Sequence, residues 1–404
     1  MKKHIALCGI IASMPFTTMA APKLKGEFSV KSPAFLSLLP GLNPGEKDLY
    51  ISSFGIGGGD SVLQVPLHEG SLGELSSWKV AKLSSKLIWP NEVTEVPESV
   101  FGPHKISVGT GFLVPGRSTG SVEIIDRTDG SVLTISHKKD GYFYHRVLWH
   151  DMNGDGRLDA VTARGKKGML GGSDGELLWL EQPADPKAPG AWVEHVIAKG
   201  PDVNFILADL DGNGSTEIIA TQFFGKKLSL HWQDNGSWVS KTLDDTLGAA
   251  FDLELVDLNG DGHLDLLVSN HEGSADKAAI YGYEIPAAPR EDAWTRHTLL
   301  SGIKTEKGGF NQASPGSAFA VQPNLKKSLS KPWILAGGDG STKVHLLLPQ
   351  AKDWEYKEVI IQDTGSTIGT IAVGDVDNDG IQELFVPAYD INKVFVYSLD
   401  GSVD

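Results

Sequence analysis

Asp257-Leu258-Asn259-Gly260-Asp261-Gly262-His263-Leu264-Asp265 carries oxygen-bearing side chains at its first, third, fifth and ninth positions and glycine at its sixth. That is the ligand spacing of an EF-hand calcium loop, where a tight turn wraps hard oxygen ligands around one cation. The flanks are different. Phe251-Asp-Leu-Glu-Leu-Val256 precedes the loop and Leu266-Leu-Val268 follows it, and both read as short strands rather than helices. The stretch is therefore read as an ion loop at the turn of a β-hairpin.

The pattern recurs. Asp151, Asn153, Asp155 and Asp159 repeat it around Gly156. Asp209, Asp211, Asn213 and Glu217 repeat it around Gly214, and Asp375, Asp377, Asp379 and Glu383 around Gly380. A single copy could be a solvated Asp/Gly turn; four copies with glycine always sixth predict about four structural Ca²⁺ ions. The loops begin at residues 151, 209, 257 and 375, so the intervals are 58, 48 and 118 residues. The last interval is two repeats long, and a unit without acids fills it: Ser317–Val321, a polar turn, then Pro332–Ala336. Second-strand segments starting at Leu49, Gly111, Ala160, Glu217, Asp265, Trp333 and Glu383 bring the count to seven. Strands led by Trp78, Trp192, Trp238, Trp294 and Trp354 supply an outermost strand.

Seven units of roughly 55 residues with four short strands each describe an all-β, seven-bladed β-propeller. The irregular first two units leave six or eight blades open. Gly26–Val30 is expected to complete the sheet that holds the last strand, Lys393–Ser398, and so to close the ring. The motif Asp-x-[Asp/Asn]-x-[Asp/Asn]-Gly-x-x-[Asp/Glu] between the first two strands of a blade resembles the FG-GAP/VCBS repeat of integrin-α-like propellers. The resemblance is strongest over 142–275 and 367–399. It implies a calcium-binding propeller, in a group that includes adhesion modules, lectins and some lyases and dehydratases acting on sugars.

The chain has 404 residues and a formal charge of −15. Thirteen of the 51 acidic residues sit in the four loops, so much of the acidity reads as ligand charge. No basic run marks a nucleic-acid or anionic-membrane partner. Lys2 and Lys3, the apolar run Ile5–Met14 and the small residues before Ala21 read as a secretory signal over residues 1–21, leaving 22–404 as one propeller domain in the periplasm or outside the cell. No stretch is long enough to span a membrane as a helix. The single cysteine, Cys8, falls in the signal, so no disulfide is expected and calcium would be the staple.

Strand order then selects a working face. The chain enters the first strand and leaves the second on the face opposite the ion loops. Positions assigned there include His104, His145, Arg146, Asn204, Asp252, Arg164, Gln222, His271, Glu272, Asp339, Tyr389 and Asp390. Such a lining suits a polyhydroxylated or anionic ligand. The leading expectation is a module that binds a carbohydrate or an extracellular protein. The alternative is a sugar or polysaccharide lyase or dehydratase. There His145 or His271 is the candidate base, Tyr389 or Tyr144 the candidate acid, and Arg146 or Arg164 the candidate enolate clamp. No cysteine nucleophile or phosphate-binding loop is present.

Overall fold

Residues buried on both sides of a strand need a neighbour on both sides, and the second strands of this chain are built that way. In Glu217–Gln222, Ile218 and Ala220 pack toward the preceding sheet, while Ile219 between them packs toward the following one. The alternation of side chains along a strand thus serves two cores at once. The computed structural model describes residues 21–400, apart from 56, 68–70, 74, 76–77, 115–116, 168–171, 189 and 309–311. The signal-peptide expectation, with Cys8, lies outside the described residues.

The described residues form seven sheets, each built around an antiparallel meander of four strands. We number them as blades. Blade 1 runs from Pro33–Pro40 to Ala81–Ser84, and blade 2 from Pro90–Glu95 to Val132–Thr134. Blade 3 runs from Tyr142–His150 to Val193–Lys199, with two short extra strands at its edge. Blade 4 runs from Phe205–Ala208 to Ser237–Asp244, and blade 5 from Ala250–Val256 to Thr295–Ser301. Blade 6 runs from Ala318–Val321 to Tyr356–Asp363. Blade 7 takes Ala372–Gly374, Glu383–Ala388 and Lys393–Ser398 from the end of the chain, and its outermost strand, Lys23–Ser29, from the beginning.

Seven apolar clusters, one between each pair of neighbouring blades, close the circle. The cluster between blades 7 and 1 joins Phe28, Val30, Phe385 and Val396 to Leu36, Ile51 and Val65. The seam expected from the sequence is therefore present, with Glu27 opposite Phe395 and Phe28 opposite Val394.

Blade 2 departs from the sequence reading. Its second strand is Lys105–Thr110, and the stretch beginning at Gly111 contains the following turn and the third strand, Val122–Asp126. A nine-residue loop holding the short helix Glu98–Phe101, anchored by buried Val100 and Phe101, stands where other blades carry the acidic loop. His104 therefore leads into the second strand, on the acidic-loop face rather than the opposite one.

Candidate functional site

The four acidic loops share one backbone path. In the loop of blade 3, the Gly156 N–H donates to Asp151 Oδ2 (2.9 Å) and the Asp155 N–H to Asn153 Oδ1 (3.0 Å). The ninth residue always accepts from the second: Met152 to Asp159 (3.0 Å), Leu210 to Glu217 (2.8 Å), Leu258 to Asp265 (2.9 Å) and Val376 to Glu383 (3.1 Å). The sixth-position glycines have φ between 85° and 89°. The fourth position is also left-handed, which explains Gly154, Gly212 and Gly260 there, and Asn378 (φ 59°) in the last loop.

The ninth carboxylates lie under the loops, and Asp159, Glu217, Asp265 and Glu383 are all buried. Burial, with the neighbouring loop acids adding to it, pushes Asp265 up to about 6 and Glu383 up to about 8. Asp209, Asp211 and Glu217 in blade 4, and Asp375, Asp377 and Glu383 in blade 7, bring their oxygens within 4.8 Å of one another. In blades 3 and 5 the third position is Asn153 or Asn259, an amide oxygen in place of a carboxylate. Asp375 is buried, and its Oδ1 has no partner. An oxygen cage with an unpartnered buried carboxylate oxygen fits a hard cation. The acid-free turn of blade 6 folds over this last loop: Leu325 N–H donates to Gly380 O (2.7 Å), and Lys326 Nζ to Asp379 O.

The axis is closed. The first strands of blades 2, 3 and 5 each carry a bulge of two residues, Asn91-Glu92, His145-Arg146 and Phe251-Asp252. A bulge re-aims side chains, and these three send Glu92, Arg146 and Asp252 toward one another. Arg146 Nε donates to Glu92 Oε2 (2.9 Å), and its Nη2 lies 3.3 Å from Asp252 Oδ1. His145 packs edge-on against Phe35 of blade 1 and Phe251 of blade 5. Burial holds its imidazole down at about 4, against the pull of Glu92. A cavity of about 20 Å³ remains beside these groups, lined also by Asn204, Phe319 and Thr370. Asp252 is pushed up to about 6 by burial, with Arg146 opposing.

The face opposite the acidic loops uses most of its polar residues to tie blades together. His271 Nε2 meets Asp339 Oδ2 at 2.6 Å between blades 5 and 6. Glu272 accepts from Ala249 N–H (2.9 Å) and from Lys226 of blade 4 (2.9 Å). Asp60 pairs with Arg117 across blades 1 and 2 (2.9 Å), and the Tyr389 hydroxyl donates to Phe54 O of blade 1 (2.8 Å). Gln222 Nε2 donates to Ser229 within blade 4 (3.0 Å). Arg164 is not on this face. It lies within the sheet of blade 3, buried between Glu176 (2.6 Å), Glu194 (2.8 Å) and Tyr144 Oη (2.8 Å).

An open groove of about 620 Å³ lies on this face at the seam, lined by Ser29, Val30, Lys31, Ser32, Tyr389, Asp390 and Asn392. Asp390 accepts from Thr367 N–H (2.8 Å) and pairs with Lys307. Tyr389 and Asp390 were legible in the sequence as face residues. Lys31, Ser32 and Asn392 were not, because they join Tyr389 only when the first and last strands pair.

The FG-GAP-like repeat family matches residues 209–268, from the acidic loop of blade 4 through that of blade 5. No curated protein matches the chain. The solved structure of the Dos1 propeller is similar over 95% of this chain and 96% of that one, with a TM-score of 0.51 and 12% identity, which is a likeness of fold. The chain is thus a seven-bladed propeller in which residues 209–268 match the FG-GAP-like repeat. Among the described residues, no helix is long and apolar enough to cross a membrane.

Proposed function

We propose that this propeller is an exported, calcium-stabilised binding module. It docks a carbohydrate or an extracellular protein on the face opposite its acidic loops. The observation that carries the reading is the seam groove. It is wide enough for a sugar residue and offers an ammonium (Lys31), a carboxylate (Asp390), a hydroxyl (Ser32), an amide (Asn392) and an aromatic ring (Tyr389) to a polyhydroxylated ligand. Calcium on the other face would hold hairpins whose clustered carboxylates otherwise repel.

The lyase or dehydratase reading has less behind it. His145 is wedged between aromatic rings, Arg146 and Arg164 are engaged by carboxylates, and His271 is engaged by Asp339.

Thermal unfolding in EDTA and then in excess Ca²⁺ tests the ion half of the proposal. A site filled a hundredfold above its Kd adds about 2.7 kcal/mol, so several sites should raise the midpoint by many degrees. An unchanged midpoint would sink the calcium reading. A panel of neutral and uronic-acid oligosaccharides tests the other half. A hit should be weakened at least tenfold by Lys31→Ala together with Asp390→Ala. Binding that ignores this pair would place the ligand elsewhere.

A further inference from the structure

Arg290 comes from the connection between the third and fourth strands of blade 5, yet it ends inside the acidic loop of blade 4. Its Nη2 donates to Glu217 Oε1, and its Nε stands 3.7 Å from Asp211 Oδ2. Glu217 is the ninth residue of that loop and is fully buried. The segment that delivers Arg290 is pinned from both sides. Lys241 Nζ donates to Asp292 O (2.6 Å), and Trp294 Nε1 donates to Pro289 O (3.1 Å). The guanidinium carbon lies 5.8 Å from the Trp232 ring centroid.

The other loops are served differently: in blade 3 the exposed Arg157 pairs with Asp155 from within its own loop, and the buried ninth carboxylate is left outside that pair. Among the described residues, Asp159, Asp265 and Glu383 form no ion pair with a lysine or arginine, and Asp375 Oδ1 has no partner at all.

A calcium ion in this loop would require the oxygen of Glu217 that Arg290 holds. A guanidinium and a divalent cation also repel at that separation. We propose that Arg290 is a built-in cation replacing calcium in blade 4. The ion is then taken by the loops of blades 3, 5 and 7, and blade 4 stays closed without it. The inference rests on the calcium reading of the other three loops.

Calorimetric Ca²⁺ titration of the whole chain and of Arg290→Gln tests it. Three ions are expected in the wild type and four in the variant. Arg290→Lys, which keeps the charge, should retain three. Tb³⁺ supplies a local readout, because Trp232 lies beside the loop. Emission excited through tryptophan should rise in Arg290→Gln, and Trp232→Phe in that background should remove the increment while leaving the stoichiometry unchanged. In EDTA, Arg290→Gln should unfold below the wild type, with Glu217 buried and unpaired, and recover in excess Ca²⁺. Four ions in wild type and variant alike would overturn the inference and leave the calcium reading standing, as would three in both. No ion in any of these proteins would overturn the calcium reading as well.

Discussion

At the scale of single residues, burial and pairing decide what a polar side chain can do here. Arg146 was legible as an inward-facing residue because it leads into a strand of the repeat. Its partners were not legible, since Glu92 lies 54 residues away and Asp252 lies 106 residues away. A mostly buried guanidinium between two carboxylates is costly to desolvate, and its pairs are more costly to break. Arg146→Met should therefore destabilise the protein by about 3–5 kcal/mol, because it strands two carboxylates at the axis. Denaturant unfolding measures this. A loss below about 1 kcal/mol would mean that the axial pairs contribute no more than surface ones. Replacing Glu92 and Asp252 with Gln and Asn in the same chain should recover much of the loss, as no charge is then left unpaired.

At the scale of the element, the acidic loop was the most legible part of the chain, because its ligand spacing and its turn chemistry coincide. Two successive left-handed positions flank the fifth residue, and the sequence supplies glycine or asparagine at each. The turn of blade 2 was the least legible. It replaces the acidic loop with a helical turn, so the landmark that set the register elsewhere is absent, and the assignment of the second strand slipped onto the third. Gly262 isolates the backbone contribution. Its φ is 85°, and a methyl group added there would meet nothing within 4 Å. Gly262→Ala should thus cost about 1–2 kcal/mol from left-handed strain alone. Asn378→Gly should change stability by only a few tenths of a kcal/mol. Both are read in EDTA by denaturant unfolding, so that ion binding does not enter the comparison. A neutral Gly262→Ala would mean that the loop relaxes out of this path when no ion holds it.

At the scale of the molecule, the ring has seven interfaces, and one of them lies beside a sheet whose outermost strand is separated from its partner by almost the whole chain. Lys23–Ser29 pairs with Lys393–Ser398, and Phe28 enters the cluster between blades 7 and 1, with its ring 5.3 Å from Trp78. The other blades are closed by local hairpins, whose pairing costs little loop entropy. Among the described residues, the seam strand is held by its ladder, the apolar contacts of Phe28 and the Lys393–Glu27 pair. It is therefore the part of the ring expected to open first. A chain starting at Lys31 leaves the edge of Lys393–Ser398 unpaired, and an unpaired apolar edge recruits other strands. That chain should unfold at lower temperature and self-associate. A synthetic peptide of residues 21–30 should bind it by strand addition, restore the midpoint and suppress association, whereas a scrambled peptide should do neither. The same peptide should also rebuild the seam groove, since Ser29 and Val30 line it beside Lys31 and Tyr389. Any ligand found for that groove should then be lost on truncation and regained with the peptide. Retention of full stability by the truncated chain would show that the apolar clusters alone hold the ring closed.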